Sequence, residues 1–186
     1  MKIVFPKLKY VLTSTAILFV TVSTLCAQSS DLAILFKKLK TVDAVDASVL
    51  ETKILLEWSK SGSAAIDYLF TLAKIAVDAQ EYGAALLHLN ALTDHAPEFS
   101  EGWNLSAVTL YKLGKTGPAL AAIGHTLALE PRHFRALEGL MFILEDAGLF
   151  VEAFEVFRMI EAIHPHAEIL SMARVRLNAK IQGQAL

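Results

Sequence analysis

SEGWNLSAVTLYKLGKTGPALAAIGHTLALEPRH, residues 100–133, decides the fold. Its apolar residues recur at helical spacing, broken at Gly114, and no strand-like alternation persists. Pro131 stands third from its end. The same layout continues on both sides without a gap, over residues 66–99 and 134–167. Pro97, Pro131 and Pro165 therefore fall at one constant interval, and Ala85, Ala119 and Ala153 keep the same interval, each twelve residues before its proline. A period of about 34 residues is the signature of stacked helix–turn–helix units. Such units build an elongated scaffold with a groove.

Within each unit a first helix is predicted to break about fifteen residues in, at Gln80, Gly114 or Gly148. A second helix follows and carries the repeated alanine. Two helices that cross closely leave no room for a large side chain, so alanine recurs for steric reasons. Leu69, Trp103 and Leu137 share one position on the first helices. Ala73, Ala107 and Met141 share another, four residues on and on the same face. Leu89, Ile123 and Phe157 hold the large apolar position of the second helices. Pro118 stands near the start of its helix, where a missing N–H costs little.

These residues resemble the tetratricopeptide repeat, in which Trp, Leu-Gly/Ala, Tyr, Ala, Phe, Ala and Pro recur in a fixed order within each unit. Trp103, Ala107, Gly114, Ala119 and Pro131 carry the pattern in the second unit. Leu140, Gly148, Ala153, Phe157 and Pro165 carry it in the third, and Leu72-Ala73, Tyr82, Ala85 and Pro97 in the first. Ser106, Met141, Leu92 and Ile160 depart from it at single positions. The resemblance spans 66–167 and extends to small exported tetratricopeptide-repeat proteins of Gram-negative bacteria. It implies an all-α, right-handed α-solenoid of three repeats, 66–99, 100–133 and 134–167.

The open ends of such a stack need covering. Residues 28–65 read as an N-terminal helical hairpin cap, with helices near 31–40 and 49–60. The second is started by a Ser48/Glu51 capping box. Glu51 falls where the repeat alanine belongs, so this segment is not read as a fourth repeat. Residues 168–186 read as a C-terminal capping helix, about 167–181, with a frayed tail from Gln182.

The stretch 1–27 reads as a signal peptide. Lys2, Lys7 and Lys9 precede an uncharged, mostly apolar run from Tyr10 to Ala27, then Gln28-Ser29-Ser30. Cleavage is expected after Ala27, which implies a periplasmic protein. The alternative is an uncleaved inner-membrane anchor, the only route to membrane attachment. The single cysteine, Cys26, follows the large Leu25, which does not suit lipidation. Cleavage also removes Cys26, and with it any disulfide or thiolate chemistry. The intact chain carries 17 basic and 19 acidic residues, net −2; without the three leader lysines, 14 against 19 gives −5. That balance argues against nucleic acid as a partner.

No catalytic constellation assembles. The serines gather at caps and turns, as in Ser61-Gly62-Ser63, and no Gly-rich phosphate loop occurs. Glu145 and Asp146 are adjacent and point to different helix faces. Of the six histidines, His133, His164 and His166 fall at repeat junctions and read as solvated loop residues. Their spacing fits no zinc motif, so neither metal nor cofactor is expected. The reading is a non-enzymatic module for a protein or peptide partner.

The resemblance further implies that the first helices line a concave groove. Its outward positions include Phe70 and Lys74 in the first repeat, Asn104, Val108, Tyr111 and Lys112 in the second, and Arg135 and Phe142 in the third. The family's carboxylate-gripping groove needs convergent cations. Here only Lys74, Asn104, Lys112 and Arg135 suit it, with acids between them. Phe70, Lys74, Asn104, Val108, Tyr111 and Phe142 are instead the candidate partner-binding residues, forming an apolar strip flanked by charge. Such a strip suits an amphipathic helix or an extended apolar peptide. Packing between first helices, or under the N-terminal hairpin, is the alternative role for the same residues.

Overall fold

The computed structural model describes residues 31–184; the expected leader lies outside them. Nine helices occur among the described residues: α1 (31–39), α2 (Ala44–Trp58), α3 (Ala64–Asp78), α4 (Tyr82–His95), α5 (Ser100–Lys112), α6 (Thr116–Leu129), α7 (Phe134–Asp146), α8 (Phe150–Ile163) and α9 (Ile169–Gln184). The repeats are the pairs α3/α4, α5/α6 and α7/α8.

Each first helix ends by the same device. Gln80, Gly114 and Gly148, at equivalent places in the three repeats, have φ of 61°, 72° and 75°. That left-handed turn lets the next N–H reach back to a carbonyl inside the helix. Glu81 N–H donates to Ala76 O at 2.8 Å, Lys115 to Leu110 and Leu149 to Leu144 at 2.9 Å each. This satisfies carbonyls that a helix end leaves orphaned. Gln80 does it without glycine, at a steric cost the other two repeats avoid.

The second helices end through proline. A residue before proline is pushed out of the helical region, and Ala96, Glu130 and His164 have φ of −136°, −134° and −134°. Each still donates its N–H to the helix, to Leu92, Thr126 and Ile160 respectively. Three residues on, Phe99, His133 and Ala167 donate back to those same pre-proline carbonyls at 3.0–3.1 Å. The turn into the next repeat is thus hydrogen-bonded alike each time.

Between the helices of each pair, Ala85, Ala119 and Ala153 are fully buried, as the crossing argument requires. Leu89, Ile123 and Phe157 fill the space beside them. At the C-terminal end, Leu170, Ala173 and Leu177 of α9 seal the third repeat, while Met172 and Val175 face outward. Arg176 adds a two-pronged pair to Glu145 at 2.6 and 2.8 Å. Helix α9 continues through Gln184, beyond the expected fraying point.

The N-terminal hairpin departs from expectation twice. Helix α2 begins at Ala44, well before Val49, because Asp43 is the N-cap and accepts from Val45 and Asp46 N–H at 3.0 and 2.9 Å. Ser48 lies inside the helix and donates to Val45 O, so it caps nothing. The hairpin also does not lie on the outer end of the first repeat. Leu32, Phe36, Leu39, Ala47, Leu50, Ile54 and Trp58 form one core with Phe134, and Ile163 packs against it. The hairpin is therefore docked on the junctions that lead into and out of the third repeat.

Candidate partner-binding groove

Helices α3, α5 and α7 lie side by side, and their exposed faces carry the predicted groove residues. Asn104, Val108, Tyr111 and Phe142 converge on one cleft of about 190 Å³ between α5 and α7, with Lys112 and Arg135 at its border. The floor is apolar: Ala107, Ile123, Ala136 and Ile143 also line it. Phe142 is 55% exposed and Val108 41%. The Tyr111 ring meets Phe142 edge-on at 5.7 Å between centroids, a favoured aromatic arrangement. Its hydroxyl donates to Asp146 Oδ2 at 3.1 Å. Desolvation and this carboxylate raise the phenol above its ordinary value, so it remains a protonated donor.

Phe70 and Lys74 are not part of that cleft. Phe70 is only 5% exposed and packs edge-to-face on Phe99 at 5.3 Å. It is a core residue, and its assignment as a partner anchor is corrected: the turn that follows Pro97 delivers Phe99 onto its ring. Lys74 lies 5.6 Å above that ring. Both line a second cavity, of about 510 Å³, whose opposite wall is Leu55 and Leu56 of α2. The hairpin thus covers the α3 side of the groove, while no residue of α1 or α2 lines the α5–α7 cleft.

Under the hairpin lies a polar cluster that periodicity does not announce. Arg135 pairs with Glu51 of α2 and with Glu138 at 2.9 Å. Burial raises the Glu138 carboxyl above its ordinary value, outweighing the pull of Arg135. His133 is fully buried, with its ring stacked on Trp58 at 4.1 Å. Its Nδ1 accepts from Ala136 N–H at 3.2 Å, so its Nε2 carries the proton donated to Glu101 Oε2 at 2.7 Å. His164 is buried beside Phe134, and neither ring nitrogen has a hydrogen-bond partner among the described residues. Its Nε2 stands 4.0 Å from Glu51 Oε2. Burial lowers the His164 imidazole, and Glu51 only partly counters this. The reading of His133 and His164 as solvated loop residues is therefore corrected. They are packing residues beneath Trp58 and Phe134; His166 alone of the three is exposed. No metal-holding cluster of His, Cys, Asp and Glu occurs among the described residues.

No family model matches the chain. A TPR repeat-containing protein of Rhizobium etli is 37% identical over 127 residues, which cover 66% of this chain. The chain spans about 62% of the length of that relative. Among solved structures, the TPR2B-domain:pHsp70-complex of yeast Sti1 superposes with a TM-score of 0.57 at 19% identity, covering 66% of this chain and 99% of that one. The repeat register, the helix pairs built on it and these likenesses agree on an all-α solenoid of three helix–turn–helix units that are similar to tetratricopeptide repeats.

Proposed function

We propose that this chain is a non-enzymatic interaction module that binds an apolar segment of a protein partner in the α5–α7 cleft. The tetratricopeptide-repeat fold is a protein–protein interaction scaffold in general. The observation that carries the finer reading is the exposure of Val108 and Phe142 beside the Tyr111 ring, over an apolar floor. Exposed apolar patches of this kind mark interaction sites, and the cleft suits one face of an amphipathic helix or a short extended segment. A cation clamp for a terminal carboxylate fits less well. Arg135 is already held by Glu51 and Glu138, and Lys74 stands in the other cavity.

The order of charge, apolar run and small residues in 1–30 supports export and a place of action in the bacterial envelope, soluble once cleaved. No helix among the described residues is long and apolar enough to cross a membrane. An uncleaved leader would instead make the chain a structural subunit of a membrane-bound assembly. N-terminal sequencing of envelope protein decides this. A start at Gln28 or within a few residues supports export, and an intact Met1 in membranes supports the anchor.

The groove is tested with Tyr111→Ala and Phe142→Ala in binding to partners captured from envelope fractions. A few aromatic anchors dominate most interfaces, so each truncation is expected to cost about 2 kcal/mol or more of binding. Melting temperature should change little for Phe142→Ala, whose ring is largely in solvent. Loss of stability with binding unchanged per folded molecule would refute the assignment.

A further inference from the structure

The repeats supply an internal standard for which faces of a first helix must be covered. Gly102 and Ala136 hold the third position of their repeats, and Thr109 and Ile143 the tenth; all four are buried. On α5 this face meets α4, where Gly102 touches Leu92, and on α7 it meets α6, where Ala136 and Ile143 join Ala119, Ala122 and Ile123. The same two positions on α3 are Tyr68, 63% exposed, and Ile75, 59% exposed. The hairpin leaves them bare because it is docked on the third repeat instead. Ala64, Thr71 and Ala79 are exposed on the same side of the helix, with Leu72 half-buried at its margin. The centre of this stripe, Tyr68, Thr71, Leu72 and Ile75, holds no charged residue, while the exposed Lys74 and Asp78 flank it on the groove side of α3.

The identity of residue 68 says what cannot cover the stripe. A methyl built on Gly102 overlaps Leu92 Cδ2, and the largest residue accepted at that position between repeats is Ala136. Tyr68 is far larger, so no further repeat can stack there in the register of the others. The spacing says what can. Ala64, Tyr68, Thr71, Leu72, Ile75 and Ala79 are separated by four, three, one, three and four residues, the same sequence in either direction. An antiparallel copy of α3, related by a twofold axis between Thr71 and Leu72, sets each Tyr68 against the other chain's Ile75 and each Ala64 against its Ala79.

We propose that this chain forms a twofold-symmetric homodimer through the Tyr68–Ile75 face of α3. A two-fold interface uses one patch on both subunits, and this patch is self-complementary in spacing and uncharged along its centre. Helix α3 has 15 residues, about 22 Å of length, so it buries less than the ~800 Å² per partner of a standard interface. The dimer is accordingly reversible and populated by raising concentration. It leaves the α5–α7 cleft untouched, so it stands or falls independently of that cleft.

The test is the mass of the full chain in solution, followed by sedimentation from low-micromolar to near-millimolar concentration. The expected result is a rise from one chain mass to two. Tyr68→Glu combined with Ile75→Glu should abolish the rise while leaving helicity and melting temperature unchanged, because both side chains are exposed in the single chain. In a Cys26→Ser background, Thr71→Cys should oxidise to a disulfide-linked pair, whereas Leu87→Cys, also exposed but on α4, should not. A single-chain mass throughout, a dimer that survives the double Glu variant, or equal cross-linking from Leu87→Cys would each overturn the proposal. So would a monomer in which Ile75→Cys is protected from a maleimide, since residues 1–30 of the same chain would then be the cover.

Discussion

Gly102→Ala and Gly124→Ala are the same substitution in helices of one fold, and they are expected to change stability with opposite signs. Glycine inside a helix costs roughly 0.8–1.0 kcal/mol relative to alanine, because its backbone loses more freedom on folding. Gly124, inside α6, has nothing within 4 Å of the position a methyl would take. Gly124→Ala should therefore stabilise by about 0.5–1 kcal/mol. Gly102 stands in the first turn of α5, where the propensity gain is at most about 1 kcal/mol. Against that gain, its new methyl overlaps Leu92 Cδ2 and presses on Phe99 Cδ1 at 3.3 Å. Leu92 is fully buried and Phe99 nearly so, and the Phe99 ring is backed by Phe70. Overpacking of this kind costs about 1–3 kcal/mol. The balance is a net loss of about 0–2 kcal/mol for Gly102→Ala. Urea unfolding monitored by far-ultraviolet circular dichroism gives both values, provided the slope with denaturant is unchanged. Stabilisation by Gly102→Ala equal to that of Gly124→Ala would refute the close approach of the first and second repeats.

Two further predictions follow from single residues. Gln80→Gly should stabilise the first repeat by about 0.5–1 kcal/mol in the same unfolding assay, since the left-handed turn strains Gln and the glycine's greater unfolded-state entropy removes only part of the gain; no gain would mean that the turn relaxes at no cost. Stability should also fall as pH drops below about 6.5, the ordinary histidine value, because burial lowers the folded His164 and the unfolded chain then binds the extra proton. The limit is about 1.4 kcal/mol per pH unit for one proton. Glu51 and Arg135 face this ring, and Glu138, raised by burial, acts in the opposite sense near its own ordinary range, around pH 4–5. The window to measure is therefore roughly pH 5 to 7. His164→Leu should flatten the slope there; an unchanged slope would assign it to other groups.

The repeat core was legible because period and punctuation are local. Gln80, Gly114 and Gly148 end helices through bonds to the preceding turn, and the prolines act on their immediate neighbours. The alanine at each crossing could be read because its steric demand recurs three times. The docking of the hairpin could not be read in the same way. It rests on Glu51 meeting Arg135, far away in the chain, and on Trp58 stacking on His133. Neither contact repeats, and periodicity carries no information about pairs that occur once. The buried histidines did leave a trace in the register. His133 shares its repeat position with Phe99 and Ala167, both buried, and His164 shares its position with the buried Ala96 and the half-buried Glu130. Position within the unit was the better guide there than the polarity of the side chain. Phe70 misled for the converse reason: its place on the groove face was read correctly from the helix, but Phe99 covers it from the following turn.

The cleft between α5 and α7 has already met much of its polar demand internally. Arg135 is engaged by two carboxylates, the Tyr111 hydroxyl by Asp146, and the Asn104 amide donates to Glu101 at 3.3 Å. A partner that offered a carboxylate to Arg135 would have to displace Glu51 or Glu138, exchanging one ion pair for another with little net gain. What no described residue fully covers is carbon: Val108, the face of Phe142 and the Tyr111 ring beside it. Burying those surfaces is worth about 25 cal/mol per Å² of apolar area, and that gain does not depend on salt. On the proposed reading, recognition at this cleft rests on the partner's apolar side chains, while the charges around it set orientation. The hairpin contributes by fixing Arg135 through Glu51. It thereby separates this cleft from the cavity in front of α3, leaving one short apolar site where three repeats alone would have presented a continuous groove.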